Sequence, residues 1–255
     1  MTDLPSLKWT ETGEGKPLVL LMGLGAAGDA WFPHVDVWQE SFRCIAFDNP
    51  GTGQSPLSDQ PLTTRNMASA VLTSVENANV DEFDVVGISM GACVAQELAL
   101  MAPDRVNRLM LVAPWAHCDA ATSNLFRLVS DVRQEATEST YNSLMHSLIW
   151  TPQWLNDNDV AMQKAMRETV SAPASTIREQ ALACRRHDTR DRLSAIIQPT
   201  LVTLGTGDRF IQPELSRAVA SAIPRASLEI FETLGHVHHW EEVDRFNRLA
   251  KAWFQ

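Results

Sequence analysis

The chain has 255 residues, 45% of them hydrophobic and 20% charged, with a formal net charge of −10. The surplus of acid disfavours a nucleic-acid or anionic-membrane surface, and no apolar run approaches the ~20 residues that span a bilayer. The length suits one α/β unit, a class that often runs to this size as a single domain.

The start, MTDLPSLKWTETGEGKP, has no basic stretch leading into an apolar core and does not read as a secretory signal. PLVLLMG (17–23) is a continuous apolar run ending at glycine, which predicts a buried strand. FRCIAFDNPGTGQS (42–55) predicts a second strand running into a Gly/Pro turn. Residues 63–79 predict a helix, with Met67, Ala70, Val71, Val75 and Ala78 near helical spacing. A third strand, FDVVGIS (83–89), and its helix (90–101) follow, then a fourth strand, VNRLMLVAP (106–114). From 117 to 190 no strand run occurs, and helical segments carry Met145, Trp150, Trp154, Met162 and Met166. Strands are predicted again at 199–208 and 226–232, and a helix at 241–254 with Val243, Phe246, Leu249, Ala250 and Trp253 on one stripe. Apolar strands alternating with helices predict a mostly parallel sheet covered on both faces. Residues 1–116 and 191–255 then form a core, with 117–190 inserted as a helical cap over the sheet's carboxyl edge, where ligands bind in open α/β sheets. Cys44, Cys93, Cys118 and Cys184 show no CxxC spacing and read as reduced thiols, as expected in a cytoplasm.

The stretch FDVVGISMGACVAQELAL (83–100) sets Ser89 between Gly87 and Gly91, at the junction of a strand and a helix. Gly-x-Ser-x-Gly in that context is a nucleophile elbow, although a serine opening a helix can equally be an N-cap. A serine hydroxyl needs a base to take its proton, and the base needs a carboxylate to hold it. Asp208 stands at the end of one later strand and His236 in the loop after the next, in the order serine, acid, histidine. His238 and His239 are rivals of His236 and read as mouth or helix-start residues. Asp119 is an alternative acid, and Asp48 reads as a partner of its own turn's backbone. Backbone N–H groups of Leu24 and Met90 are the expected oxyanion donors. The loop MGLGAAG also satisfies G-x-G-x-x-G, with Asp48 near the position of a ribose-binding acid, but a dinucleotide site leaves Ser89, Asp208 and His236 unexplained. Metal binding by His-x-His-His lacks an accompanying ligand set.

The segments LMGLGAAGDAW, FDNPGTGQS, GISMGA, GTGDRF and LGHVHHWEEVDRFN resemble the α/β-hydrolase superfamily along nearly the full chain. The resemblance implies an eight-stranded, mostly parallel sheet with helices on both faces and a helical cap. It places nucleophile, acid and base on Ser89, Asp208 and His236, and the oxyanion donors on Leu24 and Met90. Many members carry His-Gly where this chain has Met22-Gly23, and only LKWTETG is available for the first strands. Serine at 89 argues against the haloalkane dehalogenases and epoxide hydrolases, which use aspartate there. Residues 180–208 resemble small lactonases and esterases of the enol-lactonase type. GHVHHWEEVDRFNRL resembles carbon–carbon bond hydrolases of ring-fission products, whose cap arginine would fall to Arg178, Arg185 or Arg186 if these are not simply a solvated face.

The activity implied is hydrolysis of a small, apolar to moderately polar ester or lactone through an acyl-enzyme, with no cofactor and no metal. Trp31, Phe32, Trp115, Trp150, Trp154 and Trp240 are candidates for the pocket wall, although each could instead belong to the core, and about half of them are expected to touch substrate. A monomer or homodimer without nucleic-acid or membrane partners is expected. The alternatives are the carbon–carbon hydrolase, a cofactor-free haloperoxidase or perhydrolase, and a non-catalytic small-molecule-binding scaffold.

Overall fold

The computed structural model describes residues 4–255, without the side chains of residues 165–168; Met166, read above as part of the cap, falls outside the described side chains. In chain order the elements are β1 (Trp9–Thr12), β2 (Lys16–Leu21), α1 (Phe32–Trp38), β3 (Phe42–Phe47), α2 (Thr64–Asn77), β4 (Phe83–Ile88), α3 (Met90–Met101) and β5 (Val106–Val112). The helices α4 (Ala120–Glu135), α5 (Glu138–Ile149), α6 (Pro152–Asp157), α7 (Asp159–Glu168) and α8 (Ala174–Arg186) follow. The chain returns through β6 (Thr200–Gly205), α9 (Pro213–Ala222), β7 (Ala226–Phe231), α10 (His238–Glu241) and α11 (Val243–Phe254).

The sheet runs β1-β3-β2-β4-β5-β6-β7. All neighbours are parallel except β1 and β3, which pair antiparallel from Trp9↔Phe47 to Thr12↔Cys44. Among the described residues seven strands stand where eight were expected. The short N-terminal segment supplies a single four-residue strand, and Gly13 turns it directly into β2 with φ of 79°.

Period-two alternation sorts the strand residues between two apolar layers. Leu18, Leu20, Val86, Ile88, Met110 and Val112 pack with Trp31, Trp38, Phe246, Ala250 and Phe254, on the side of α1 and α11. Val19, Leu21, Val85, Leu109, Leu111 and Val202 pack on the other side with Val71, Val75, Val94 and Leu98 of α2 and α3. Burial of each large apolar side chain contributes about 1.5–3 kcal/mol. With both faces covered, the strands need no polar face, which is why they read as unbroken apolar runs.

After β2 the chain goes to one side, to β3; after β3 it crosses back to β4 on the other side of β2. The carboxyl ends of β2 and β4 therefore form the switch point at which open α/β sheets leave a crevice. The loop 22–27 and Ser89 leave those two strand ends.

Candidate active site

Ser89 has φ 55° and ψ −118°, a left-handed conformation that non-glycine residues rarely adopt. It occupies the N-cap position of α3 but makes no side-chain cap bond, so it does not behave as a helix cap. Its N–H donates to Val112 O at 2.8 Å, and its carbonyl accepts from Ala92 and Cys93 at 2.9 and 3.2 Å. The turn is held by close backbone approach. A Cβ at Gly87 would meet Gly91 O at 2.3 Å, and one at Gly91 would meet Leu21 O at 2.2 Å. Gly91→Ala is expected to cost about 3 kcal/mol, read as a lower urea midpoint at unchanged m-value.

Asp208 and His236 meet across the loops after β6 and β7. His236 Nδ1 donates to Asp208 Oδ2 at 2.7 Å, with both residues buried. The second carboxylate oxygen accepts the N–H groups of Phe210 at 2.8 Å and Ile211 at 2.9 Å. That triple anchorage fixes the carboxylate, and the Nδ1–H bond leaves Nε2 as the acceptor nitrogen of a neutral ring. Ser89, His236, Gly23 and Leu24 line one cavity of about 660 Å³.

The rivals have other employment. Asp119 caps α4, accepting Thr122 N–H at 2.7 Å, and that bond holds its carboxyl below the usual range. His238 and His239 do open a helix, α10, but neither stands at a mouth: both are fully buried. His238 donates Nδ1–H to Gly235 O at 3.2 Å and takes Thr203 Oγ1 on Nε2 at 2.9 Å. His239 stacks among Trp31, His34, Trp240 and Phe246. Asp48 accepts Gln54 N–H at 2.8 Å in its own turn and Gly28 N–H at 2.8 Å in the glycine-rich loop. Both of its oxygens thus fasten backbone, which removes it as a ribose acid.

Of the aromatic residues expected as pocket walls, Trp240 lines the cavity. Trp31 and Trp115 are fully buried in the two cores, Trp115 against Phe126 and His187. Trp150 stacks on Trp154 with centroids 3.8 Å apart, and this pair stands behind Trp240. Phe32 is 67% exposed on the outer surface. The facing wall comes instead from α5, through Tyr141, Met145 and Ile149. These residues sit at i, i+4 and i+8, a spacing visible in the sequence and passed over in favour of the larger indoles.

Two positioning amides were also missed. Gln180 on α8 is wholly buried; its Oε1 accepts Gly25 N–H at 2.8 Å and its Nε2 donates to Pro50 O at 3.0 Å. Asn49 Nδ2 donates to Met22 O at 2.9 Å. Together they pin both ends of the loop holding Leu24. Their signal was a glutamine on the buried stripe Ile177, Gln180, Ala181, Cys184 of α8.

A model of the α/β-hydrolase fold family matches residues 16–243. The chain is 26% identical over 239 residues to the provisionally named carbamate hydrolase RutD of Azorhizobium caulinodans, covering 93% of this chain and 90% of that protein. It superposes on the crystal structure of the provisionally named non-heme bromoperoxidase BpoC of Mycobacterium tuberculosis H37Rv with TM-score 0.89 and 27% identity, covering 100% of this chain and 97% of that one. It superposes on a malate-bound thermophilic esterase of Thermogutta terrifontis with TM-score 0.85 and 27% identity, covering 97% and 92%. With its sheet, its strained serine turn and its family match all in agreement, the chain belongs to the α/β-hydrolase fold family.

Proposed function

We propose that the protein is a serine hydrolase that cleaves a neutral carboxylic ester or lactone through a Ser89–His236–Asp208 triad. The observation carrying this reading is the His236 imidazole, hydrogen-bonded to Asp208, sharing one cavity with a serine held in a left-handed turn. His236 Nε2 takes the Ser89 proton as Oγ attacks the carbonyl carbon. The Leu24 and Met90 N–H groups hold the resulting oxyanion. Collapse breaks the bond to the alkoxide, which takes the proton from His236. Water then attacks the acyl-enzyme with His236 as base, releasing the acid and restoring Ser89.

Charge separates this reading from the carbon–carbon hydrolase. Ring-fission substrates carry a carboxylate, which calls for a cation in the wall. Among the described residues lining the cavity there is no lysine or arginine, and the rim carries Asp29. Arg178 pairs with Glu179, and Arg185 and Arg186 are exposed, with Arg185 bonded to Ser123 Oγ. The five helices α4–α8 act in this reading as the cap, closing an apolar chamber over the triad.

The test is a panel of neutral p-nitrophenyl esters, lactones, alkyl carbamates and a ring-fission dienone acid, run on native protein and Ser89→Ala. Neutral esters or lactones are expected to turn over at least 10-fold faster in kcat/KM than the acid, and the activity to disappear in Ser89→Ala. Preference for the dienone acid, or undiminished turnover in the variant, contradicts the proposal. Carbamates belong in the panel because their carbonyl also carries a heteroatom leaving group and because RutD is named for them.

A further inference from the structure

The cavity holds a polar group that triad chemistry leaves unused. Tyr141 is the single tyrosine of the chain, lies on α5 and is 4% exposed. It forms part of the cavity wall beside the glycine-rich loop: a Cβ built on Gly25 would lie 3.8 Å from its hydroxyl oxygen. Among the described residues, that hydroxyl has no hydrogen-bond partner. In the same wall His146 Nδ1 and Trp240 Nε1 are also without a partner among the described residues, whereas Asn142 and Thr52 are internally satisfied. Asn142 Nδ2 donates to Thr169 O at 3.1 Å and its Oδ1 accepts from Ser171 Oγ at 2.6 Å, while Thr52 Oγ1 donates to Asn49 O at 2.9 Å.

The ring is held in place. The Arg133 guanidinium stacks 5.5 Å from its centroid and is itself tied to Ala172 O at 3.0 Å. Burial pushes the phenol well above its ordinary pKa, so it remains a neutral donor across the working range. Buried polar groups are nearly always hydrogen-bonded, and a rigid donor left unpartnered inside a site has its partner supplied by what enters.

Resting on the hydrolase reading above, we propose that Tyr141 is a specificity-determining residue whose hydroxyl donates a hydrogen bond to a second acceptor oxygen of the substrate, an ether or keto oxygen removed from the scissile carbonyl. The loop geometry separates this role from that of an oxyanion donor. Gly23 is the loop residue beside the nucleophile, with its would-be Cβ 3.9 Å from Ser89 Oγ. Gly25, beside Tyr141, lies two residues further along, in a turn closed by the Ala26 N–H to Gly23 O bond at 3.3 Å. In this proposal the hydroxyl meets a part of the ligand other than the reacting carbon. The substrate class narrows to neutral esters or lactones bearing a further oxygen acceptor.

The experiment compares p-nitrophenyl hexanoate with its 3-, 4- and 5-oxo derivatives, and butyl butyrate with 2-methoxyethyl butyrate, on native protein and Tyr141→Phe. In the native protein at least one acceptor-bearing ester is expected to exceed its hydrocarbon counterpart in kcat/KM by about 3–10-fold, the worth of one neutral hydrogen bond. In Tyr141→Phe that ratio falls to about 1. A ratio near 1 in the native protein for every pair overturns the proposal. So does a Tyr141→Phe variant that slows all esters equally, which is the signature of an oxyanion donor or of a structural role. A second readout is independent of turnover. With 3-fluorotyrosine incorporated into Ser89→Ala, the single ¹⁹F resonance is expected to move on titration with the preferred keto ester and to stay in place with its hydrocarbon analogue. Failure of the hydrolase reading would show differently, as native protein with no Ser89-dependent turnover of any ester.

Discussion

Ser89→Ala, His236→Ala and the double variant are expected to lose ester turnover to the same extent, about 10⁶-fold in kcat. In the proposed mechanism one proton passes between Ser89 and His236, while Asp208 orients the imidazole and stabilises its cation. With Ser89 removed there is no oxygen for His236 to activate, and with His236 removed the hydroxyl keeps its proton and remains a weak nucleophile. Asp208→Asn is expected to cost about 10⁴-fold. Its Oδ1 anchorage by Phe210 and Ile211 would hold the amide in place, but an Nδ2 donor facing His236 Nδ1 would favour the tautomer with hydrogen on Nε2. Urea midpoints of the serine and histidine variants should stay close to native, so that lost turnover is not lost fold. Losses that multiply in the double variant would show that Ser89 and His236 act independently, against the mechanism.

The second large effect is on stability. Besides His236, four histidines are buried: His34, His187, His238 and His239. Burial lowers the first two to about 4 and His238 to about 3, and pushes His239 well below its ordinary value. His239 has both ring nitrogens without a hydrogen-bond partner, among Trp31, His34 and Phe246. The sign follows from proton counting. In the unfolded chain these groups titrate near 6.5, whereas the folded state does not bind their protons until the pH is far lower. Stability is complete above about pH 6.5 and falls as pH drops toward 4. Each histidine contributes a slope of up to about 1.4 kcal/mol per pH unit, hence about 5 kcal/mol per unit for the four. Against a total stability of about 5–15 kcal/mol, this predicts cooperative unfolding above pH 4, before most carboxylates titrate. Circular dichroism across pH 7–3 checks it, with His239→Phe expected to make the transition less steep. A fold intact at pH 4 would contradict this account of the buried histidines.

Much of the fold was legible because a doubly covered sheet imposes unbroken apolar strands: 17–23, 42–55, 83–89, 106–114, 199–208 and 226–232 all carry one in the structure. The short antiparallel edge strand is also visible in the sequence, since β1 spans Trp9–Thr12 before the turn at Gly13. The serine turn was legible because close packing there excludes a Cβ on either side. The cavity wall was not legible in the same way. Trp31 and Trp115 look like ligand contacts by size alone, yet a large aromatic fills a core as readily as it lines a pocket. Which of these it does depends on how α1 and α4 pack, and that is set by distant residues such as Phe246 and Phe126. Gln180 and Asn49 escaped for a related reason. Their importance lies in backbone groups 155 and 27 residues away, Gly25 N–H and Met22 O, which no local pattern announces.

The account turns on whether the hydroxyl of residue 89 is activated as a nucleophile. Treating the native protein with a fluorophosphonate at neutral pH and mapping the adduct by peptide mass spectrometry measures that directly. A stoichiometric adduct on the peptide bearing Ser89, formed at least 10³-fold more slowly in His236→Ala, is the predicted result. An unlabelled Ser89 in folded native protein, or equal labelling with and without His236, would contradict it.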